Sequence, residues 1–159
     1  LAVCQQVKRT RSAAITAPDM EFDWDKNVIA FTGGTKLVIG GGYDATMTAP
    51  SMNVRLTAKG DKVASLVAAG PVDFTVITKA DANGLRRKIV ASAKDEATYS
   101  EETQTLKLSG GAVADMKPLD APADVEAVHF TGQTITADLK TSRLKVSDAN
   151  LTVKSQIEQ

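Results

Sequence analysis

Apolar and polar residues alternate along most of this chain, and the phase of the alternation changes at recurring points. Ile15 and Ala17 share one parity, whereas Met20 and Phe22 share the other. Successive side chains of a β-strand point to opposite faces, so this change of phase requires an extra residue between Ala17 and Met20. Proline is tolerated at a β-bulge because the ladder does not need its N–H there. The pattern therefore predicts a strand over residues 15–24 with a β-bulge at Pro18.

The phrase that contains this change of phase recurs along the chain. Ile-Thr-Ala-Pro-x-Met begins at Ile15 and returns as Met-Thr-Ala-Pro-x-Met at Met47, with a second change of parity at Pro50. A shorter copy, Ile-Thr-Ala-Asp, begins at Ile135, and a degenerate copy, Val-Ala-Ser-Ala, begins at Val90. Matching alanines of successive copies are 32, 44 and 44 residues apart. Self-similarity at this period indicates an array of one supersecondary unit, here a stack of β-hairpins.

Turn residues divide the chain into short strands. Asn83-Gly84 is the strongest hairpin signal, since both positions accept positive φ, and the glycines at 33–34 and 40–42 interrupt a strand. No segment of a dozen residues after position 14 has a helical period. Roughly twelve to sixteen short antiparallel strands are typical of a sandwich, barrel or solenoid. The chain is predicted to be all-β, with residues 1–14 as an N-terminal arm and residues 15–159 as a single domain.

The composition argues against nucleic-acid binding. The 159 residues include 19 Lys and Arg and 19 Asp and Glu, so no strong field attracts a polyanion. Aromatic residues make up only 4% of the chain, too few for a platform on which bases stack. The apolar content is mostly Val, Ile, Leu, Ala and Met, and the β-branched members of this set suit half-buried β-surfaces.

The first residues of the chain contain its single cysteine. Because Cys4 is the single cysteine, an internal disulfide and a thiolate metal cluster are excluded. Leu-Ala-Val-Cys resembles a bacterial lipoprotein processing site, at which the cysteine is lipidated. The favoured interpretation is the remnant of a signal peptide or membrane anchor, because Val3 is unusual before such a site. We expect that a segment upstream has been removed, and no stretch approaches the roughly 18 consecutive apolar residues of a membrane span.

Candidate catalytic and metal-binding residues are few. His129 is the single histidine and lies in a predicted strand, where a lone imidazole is far more often a surface residue than a catalyst. A transition-metal site needs three or four ligands, so no metal and no other cofactor is expected. Asp23-x-Asp25-x-Asn27 copies the start of a calcium loop, but Val28 stands where that loop needs glycine. A solvated hairpin tip is the favoured interpretation.

Other charged groups also lack a catalytic pattern. Arg86-Arg87-Lys88 forms a small cationic patch, and the favoured interpretation is a solvated edge strand protected by charge. The acids that flank Tyr99 look like turn and polar-face residues rather than a glycosidase pair. No nucleophile elbow, catalytic triad order or dinucleotide fingerprint occurs. The chain is therefore predicted not to be an enzyme.

Three of the copies share a longer pattern. The copy at 97–113 reads Ala-Thr-Tyr-Ser-Glu-Glu-Thr-Gln-Thr-Leu-Lys-Leu-Ser-Gly-Gly-Ala-Val; another covers 135–146, and a third covers 15–22 with Phe-Thr-Gly-Gly at 31–34. Each has alternating residues, a polar turn and a second alternating run. This pattern resembles the OstA-like repeat of periplasmic lipopolysaccharide-transport proteins, the family of LptA, LptC and the N-terminal domain of LptD. The resemblance covers roughly residues 15–153.

The resemblance implies both a fold and a function. The fold is an antiparallel β-jellyroll, a twisted double sheet with a V-shaped, taco-like form. The function is non-enzymatic binding and transfer of lipopolysaccharide, or a related glycolipid, through the periplasm towards the outer membrane. Acyl chains would occupy an apolar groove while the glycan stays in water. The residues expected to line this groove are Met20, Phe22, Trp24, Ile29, Phe31, Met52, Val54, Leu56, Phe74, Val76, Tyr99, Leu106, Leu108, Ile135 and Leu139.

Partners follow from the same resemblance. They are lipopolysaccharide or another glycolipid, other Lpt-type bridge proteins joined through edge strands, and further copies of the chain in a head-to-tail homo-oligomer. The expected edges are Ile15–Trp24 and Leu151–Val153, whose backbone groups would lack partners. Anchoring to the inner membrane through a missing N-terminal segment is a further expectation. The alternative function is a structural or adhesive β-repeat module with a solid core and protein-binding edges.

Overall fold

The structure, a computed structural model, describes residues 12–41, 44–120, 127–141 and 143–153. These residues form twelve β-strands and no helix, so the all-β prediction is confirmed. Within these ranges there is no helix long and apolar enough to cross a membrane. The Cys4 segment lies outside the described residues. The strands are β1 (Ser12–Thr16), β2 (Asp19–Asp23), β3 (Val28–Gly40), β4 (Asp44–Leu56), β5 (Val63–Ala69), β6 (Val72–Ile77), β7 (Arg87–Ala93), β8 (Glu96–Ser100), β9 (Thr105–Pro118), β10 (Val128–Asp138), β11 (Arg143–Ser147) and β12 (Asn150–Thr152).

Four long strands, β3, β4, β9 and β10, each contribute to two layers, and all pairings are antiparallel. Layer 1 has the order β2-β3-β4-β5-β8-β9-β10-β11. Layer 2 has the order β1-β3-β4-β6-β7-β9-β10-β12. The long strands pass from one layer to the other along one line, which we call the spine. The molecule is thus a folded double sheet, as the predicted β-jellyroll requires.

Glycine allows the bend of β3 at the spine. Gly33 and Gly34 have φ angles of 89° and 92°, a region that side chains other than glycine rarely adopt. The register with β4 shifts at these glycines, between Thr32 and Thr35. The prediction of a bulged residue at Pro50 is therefore corrected. The extra residue belongs to β3, and Pro50 lies opposite it.

Prolines also follow the spine. Pro18 separates β1 from β2, Pro50 lies where β4 leaves β6 and joins β5, and Pro71 lies between β5 and β6. None of these three prolines has a partner residue in a neighbouring strand, so its missing N–H removes no ladder hydrogen bond. The predicted change of parity at Pro50 is confirmed, because Met47 and Met52 are both buried although one has odd and the other even parity.

The connection between β6 and β7 is longer than a two-residue hairpin. Asp81 accepts hydrogen bonds from the backbone N–H groups of Asn83 and Leu85, each at 2.9 Å, and Gly84 has a φ of 77°. The hydrogen bonds from Leu85 and Asn83 lower the pKa of the Asp81 carboxyl. Asn83-Gly84 therefore marks the reversal as predicted, but within a loop that covers residues 78–86.

The cationic patch does not lie on an edge strand. β7 carries Arg87 and Lys88 and pairs with β6 on one side and β9 on the other. The interpretation of Arg86-Arg87-Lys88 as charge protection of a free edge was therefore wrong. Arg86 lies 3.8 Å from Asp44, and Arg87 lies 3.3 Å from Asp81.

A close backbone contact at the spine leads to a testable prediction for stability. A Cβ added at Gly132 would clash with the carbonyl oxygen of Ser147 and with the side chain of Val146. Gly132→Ala should push β11 away and lower the free energy of unfolding by about 1–3 kcal/mol, measured by urea denaturation. Gly40→Ala is the control, because its nearest neighbour would be the Ser12 hydroxyl at 3.4 Å. Equal stability of the two variants would contradict the close contact at the spine.

Candidate functional site: an apolar groove between the layers

Apolar side chains form rows that cross layer 1 at right angles to its strands. Each row follows residues that are direct partners in consecutive strands. One row contains Met20, Phe31, Met52, Ala68, Ala97, Leu108, Ile135 and Val146. The next contains Phe22, Ile29, Val54, Leu66, Tyr99, Leu106, Ala137 and Leu144. Period-two alternation places both rows on the same face of the layer.

Layer 2 has corresponding rows. One contains Ile15, Leu37, Met47, Phe74, Ala91, Ala114, Phe130 and Leu151. Another contains Ala13, Ile39, Ala45, Val76, Ile89, Met116 and Val128. The buried members of both layers belong to one hydrophobic cluster, so the rows face each other across a common interior.

This interior is closed in the middle and open at both edges of the sheet. In the first row, Met20 at one edge is 61% exposed, whereas Met52 and Ala97 in the centre are 0% exposed. At the opposite edge, Leu151 of layer 2 is 60% exposed. A contiguous apolar surface that reaches solvent at two ends has the form of a slot. Exposed apolar surface of this kind usually marks an interaction site.

A small cavity separates the layers near the C-terminal half of the slot. Its volume is about 20 Å³, room for about one water molecule, but its wholly apolar lining would keep it dry. Ala91, Ala114 and Ala137 contribute to it, because their short side chains leave space between larger neighbours. The lining residues are Phe74, Val76, Ile89, Ala91, Leu106, Leu108, Ala114, Ile135, Ala137 and Leu144.

The residues predicted to line a groove fall into three groups. One group lies in the buried core: Met52, Val54, Phe74, Val76, Leu106, Leu108 and Ile135. A second group is partly buried against this core: Ile29, Phe31, Leu56, Tyr99 and Leu139. The third group is exposed at the β2 edge: Met20, Phe22 and Trp24. The structure therefore brings twelve of the fifteen residues together and leaves three at the opening.

The exposed group is itself ordered. The rings of Phe22 and Trp24 lie 6.4 Å apart between centroids and are tilted by 54°, a geometry that aromatic pairs favour. Trp24 is 77% exposed, just beyond the end of β2. Its indole thus stands at the rim of the slot.

The sequence profile of the family described as LptA/(LptD N-terminal domain) LPS transport protein matches residues 14–143, which is most of the chain. The chain therefore belongs to this family. No individual curated protein sequence matches it significantly.

A solved structure of a lipopolysaccharide-transport component has a similar fold. It is the crystal structure of LptH from Pseudomonas aeruginosa, described as the LptA-homologous periplasmic component of the conserved lipopolysaccharide transport device. The identity is 12% and the TM-score 0.64, and the match covers 92% of this chain and 98% of LptH. At this identity the match shows the fold, which confirms the β-jellyroll.

Several small residues in the interior of this chain were not among the predicted groove residues. Ala68, Ala97 and Ala114 are each 0% exposed and occupy central positions of the rows. Alanine is common on both faces of strands, so its parity alone carries little weight. Leu37 and Met47 were also left out, although their alternation with Lys36 and Thr48 places them on the inner face.

His129 and the Asp23 turn, which the sequence offered as candidate sites, lie outside the slot and have structural partners. The Nδ1 atom of His129 lies 2.7 Å from Asp115 on the outer face of layer 2, so the histidine has a partner that the sequence did not reveal. Asp23 accepts hydrogen bonds from the backbone N–H groups of Asp25 and Lys26, which makes this segment a hairpin tip. No group of three or more potential metal ligands occurs among the described residues.

A second depression lies along the spine near the N-terminal edge. It has a volume of about 630 Å³ and is open to solvent. Its lining consists of short side chains with a single charged group, that of Lys36, so it offers little for specific chemistry. The lining residues are Thr16, Ala17, Pro18, Gly34, Thr35, Lys36, Thr48, Ala49, Pro50 and Pro71.

Two methionines in one row lead to a prediction about the slot. Met52→Ala should lower the free energy of unfolding by about 2–5 kcal/mol, because the side chain is fully buried. Met20→Ala should change it by less than about 0.5 kcal/mol, since the side chain is 61% exposed. Thermal or urea denaturation of both variants measures the difference. Similar losses would mean that the β2 edge is covered rather than open.

Proposed function

We propose that this protein carries lipopolysaccharide, or a related glycolipid, through the periplasm towards the outer membrane without catalysing a reaction. The acyl chains would lie between the two layers, and the glycan would remain in water. The continuous apolar rows, exposed at both edges of the sheet, are the single observation that carries this proposal. Membership in a family of lipopolysaccharide transport proteins supports the choice of ligand.

The energetics favour transport through such a slot. Burial contributes about 0.8 kcal/mol per methylene group, so one chain of about twelve carbons contributes roughly 8–10 kcal/mol. A lipid with several chains therefore needs a protein shield to cross an aqueous compartment. The same shield must let the lipid leave, and openings at both edges meet this need better than a sealed pocket.

The interior must widen when a chain enters. The cavity of about 20 Å³ is much smaller than an acyl chain, so we propose that the layers separate around the spine. Met47 and Met52 face the interior from opposite layers, and their flexible side chains can adapt to a wider slot. Apolar contacts between the layers would then be replaced by contacts with the lipid.

The edges would join this protein to neighbours in the transport system. β1 and β2 pair only with β3, and β11 and β12 pair only with β10, among the described strands. Their outer backbone groups are open to another chain by β-augmentation, which would continue the slot across the junction. We propose other Lpt-type bridge proteins, or further copies of this chain, as the partners.

Site-specific photo-crosslinking tests the assigned faces. A photo-crosslinking residue at Phe22 should capture lipopolysaccharide, whereas one at Glu21 should not, because adjacent strand residues point to opposite faces. Both positions are exposed, so access to solvent is matched. Val54 and Asn53 form a second pair, with Val54 inside. Equal capture on both parities would contradict an internal binding site.

Filling the cavity tests the groove against the alternative of a solid structural or adhesive module. Ala114→Val should keep the melting temperature or raise it, since it fills an apolar void with a residue that suits strands. It should reduce lipid capture at Phe22. Ala69→Val on the outer face of β5 is the matched control. Unchanged capture by a folded Ala114→Val variant would place the lipid outside the interior and favour the alternative.

A further inference from the structure

We propose that the end of layer 2 farthest from the spine binds phosphate groups of the lipid headgroup, with Arg87 as the main phosphate ligand. We call this end the layer 2 rim; there β6 ends at Ile77, β7 begins at Arg87 and β9 ends at Pro118. The inference rests on the proposed function. It adds the part of the protein that recognises the headgroup and so sets which way the lipid lies in the slot.

Arg87 lies where an inner apolar row of layer 2 ends. Ile89 of β7 faces the interior, and its strand partners are Val76 and Met116. Arg87 comes two residues before Ile89 in the same strand, and side chains two positions apart share a face. The inner-face position that follows the apolar row is therefore a guanidinium. A lipid with its chains inside and its headgroup outside must cross this boundary.

The backbone of Arg87 is fixed, whereas its guanidinium has a single ion pair among the described residues. The N–H of Arg87 donates to Oγ1 of Thr78 at 2.9 Å, and the N–H of Thr78 donates to the carbonyl oxygen of Arg87 at 2.9 Å. Nη1 of Arg87 lies 3.3 Å from Oδ2 of Asp81, and the Arg87 side chain is 38% exposed. A guanidinium has five N–H donors in a planar fork that matches two phosphate oxygens. Donors beyond the one that Asp81 uses can therefore serve a ligand.

Two lysines bring like charges together on the outer face of the same rim. Lys88 and Lys117 are direct partners in β7 and β9, and their parity is opposite to that of the inner rows. Asp115 shares this face but lies 2.7 Å from His129. Neither lysine forms an ion pair in the part of the chain that the structure describes. Like charges at facing positions destabilise a strand pair, and a bound dianion would offset this repulsion.

The charges of the rim fit a phosphate better than a carboxylate. Asp44 lies 3.8 Å from Arg86 and Asp81 lies 3.3 Å from Arg87, so the two lysines remain as a surplus of positive charge. A phosphate monoester carries a charge of about −1.5 to −2 and presents three acceptor oxygens, whereas a carboxylate carries one charge and two oxygens. The guanidinium fork and the two ammonium groups are together suited to the dianion.

Opposite effects of two substitutions in one ion pair test the role of Arg87. R87Q should raise about tenfold the concentration of bis-phosphorylated lipid A that gives half-maximal capture by a photo-crosslinking residue at Phe22, because it removes charge-assisted hydrogen bonds. D81N should lower this concentration about threefold, since it frees the guanidinium. Asparagine can still accept the hydrogen bonds from the loop N–H groups through Oδ1. If the pair only shaped the loop, both variants would weaken capture, and that result would overturn the proposal.

Dephosphorylated lipid A separates recognition of the headgroup from burial of the chains. R87Q and the unaltered protein should capture this lipid with the same half-maximal concentration, because the interior is the same in both. R55Q is the matched control, since Arg55 is exposed on the outer face of layer 1 and its loss should change capture of neither lipid. An equal loss of both lipids in R87Q would contradict a phosphate site.

Lys117 allows a measurement on the protein without lipid. K117Q removes one of two facing like charges, so the melting temperature at low salt should stay the same or rise. Capture of bis-phosphorylated lipid A should nevertheless weaken about threefold, because part of the positive field is lost. A lower melting temperature with unchanged capture would contradict a role for the lysine pair.

The remaining outcomes separate the rim from the slot. Millimolar inorganic phosphate should leave capture unchanged, because the buried chains hold the lipid phosphate at the rim; its abolishing the effect of R87Q would assign the rim to free phosphate instead. Equal capture of both lipids by every variant would overturn the rim site and leave the lipid slot intact. Failure of the unaltered protein to capture either lipid would overturn the proposed function and the rim site with it.

Discussion

The structure depends on one constraint: each long strand must present apolar side chains to the same interior from two layers. The strands meet this constraint in two ways. β3 and β9 keep one parity across the spine, so that Phe31 and Leu37 of β3 both face inward. β4 changes parity instead, and Met47 in layer 2 and Met52 in layer 1 both face inward. Gly33 and Gly34 of β3 take up the accompanying shift of register with positive φ angles. The phrase that recurs at Ile15 and Met47 marks places where the chain changes parity as it crosses the spine.

The same constraint aligns apolar residues into rows that run the width of the sheet. Each row ends at an edge strand, where its last residue leaves apolar surface exposed to solvent. Burial is complete in the centre, at Met52 and Ala97, and falls away at Met20 and Leu151. The slot is therefore narrow where the two layers support each other and accessible where they stop. The proposed carrier of acyl chains would use both properties, since burial would hold the lipid and open ends would let it pass.

The sequence predicts which face of the sheet a side chain points to much better than it predicts which strands lie side by side. Alternation placed Met20, Met52 and Leu108 on one face, and these residues do belong to one row. It could not show that β7 lies between β6 and β9, because period two says which way a side chain points and nothing about which strand lies beside it. The supposed edge at Arg87 was wrong for this reason. The buried alanines were missed because a small side chain suits either face, and their role appears only when the opposite layer is in place.

Open edges are also a hazard, since a free strand beside an apolar row can pair with any other strand. The formal net charge is zero, but the charges differ between the two edges. Asp19 and Glu21 on the outer face of β2 would repel a second β2, and Arg143 and Lys145 on β11 would repel a second β11, so pairing between like edges would be disfavoured. Repulsion between wrong edges gives specificity that attraction alone cannot supply, because the apolar rows would accept either orientation.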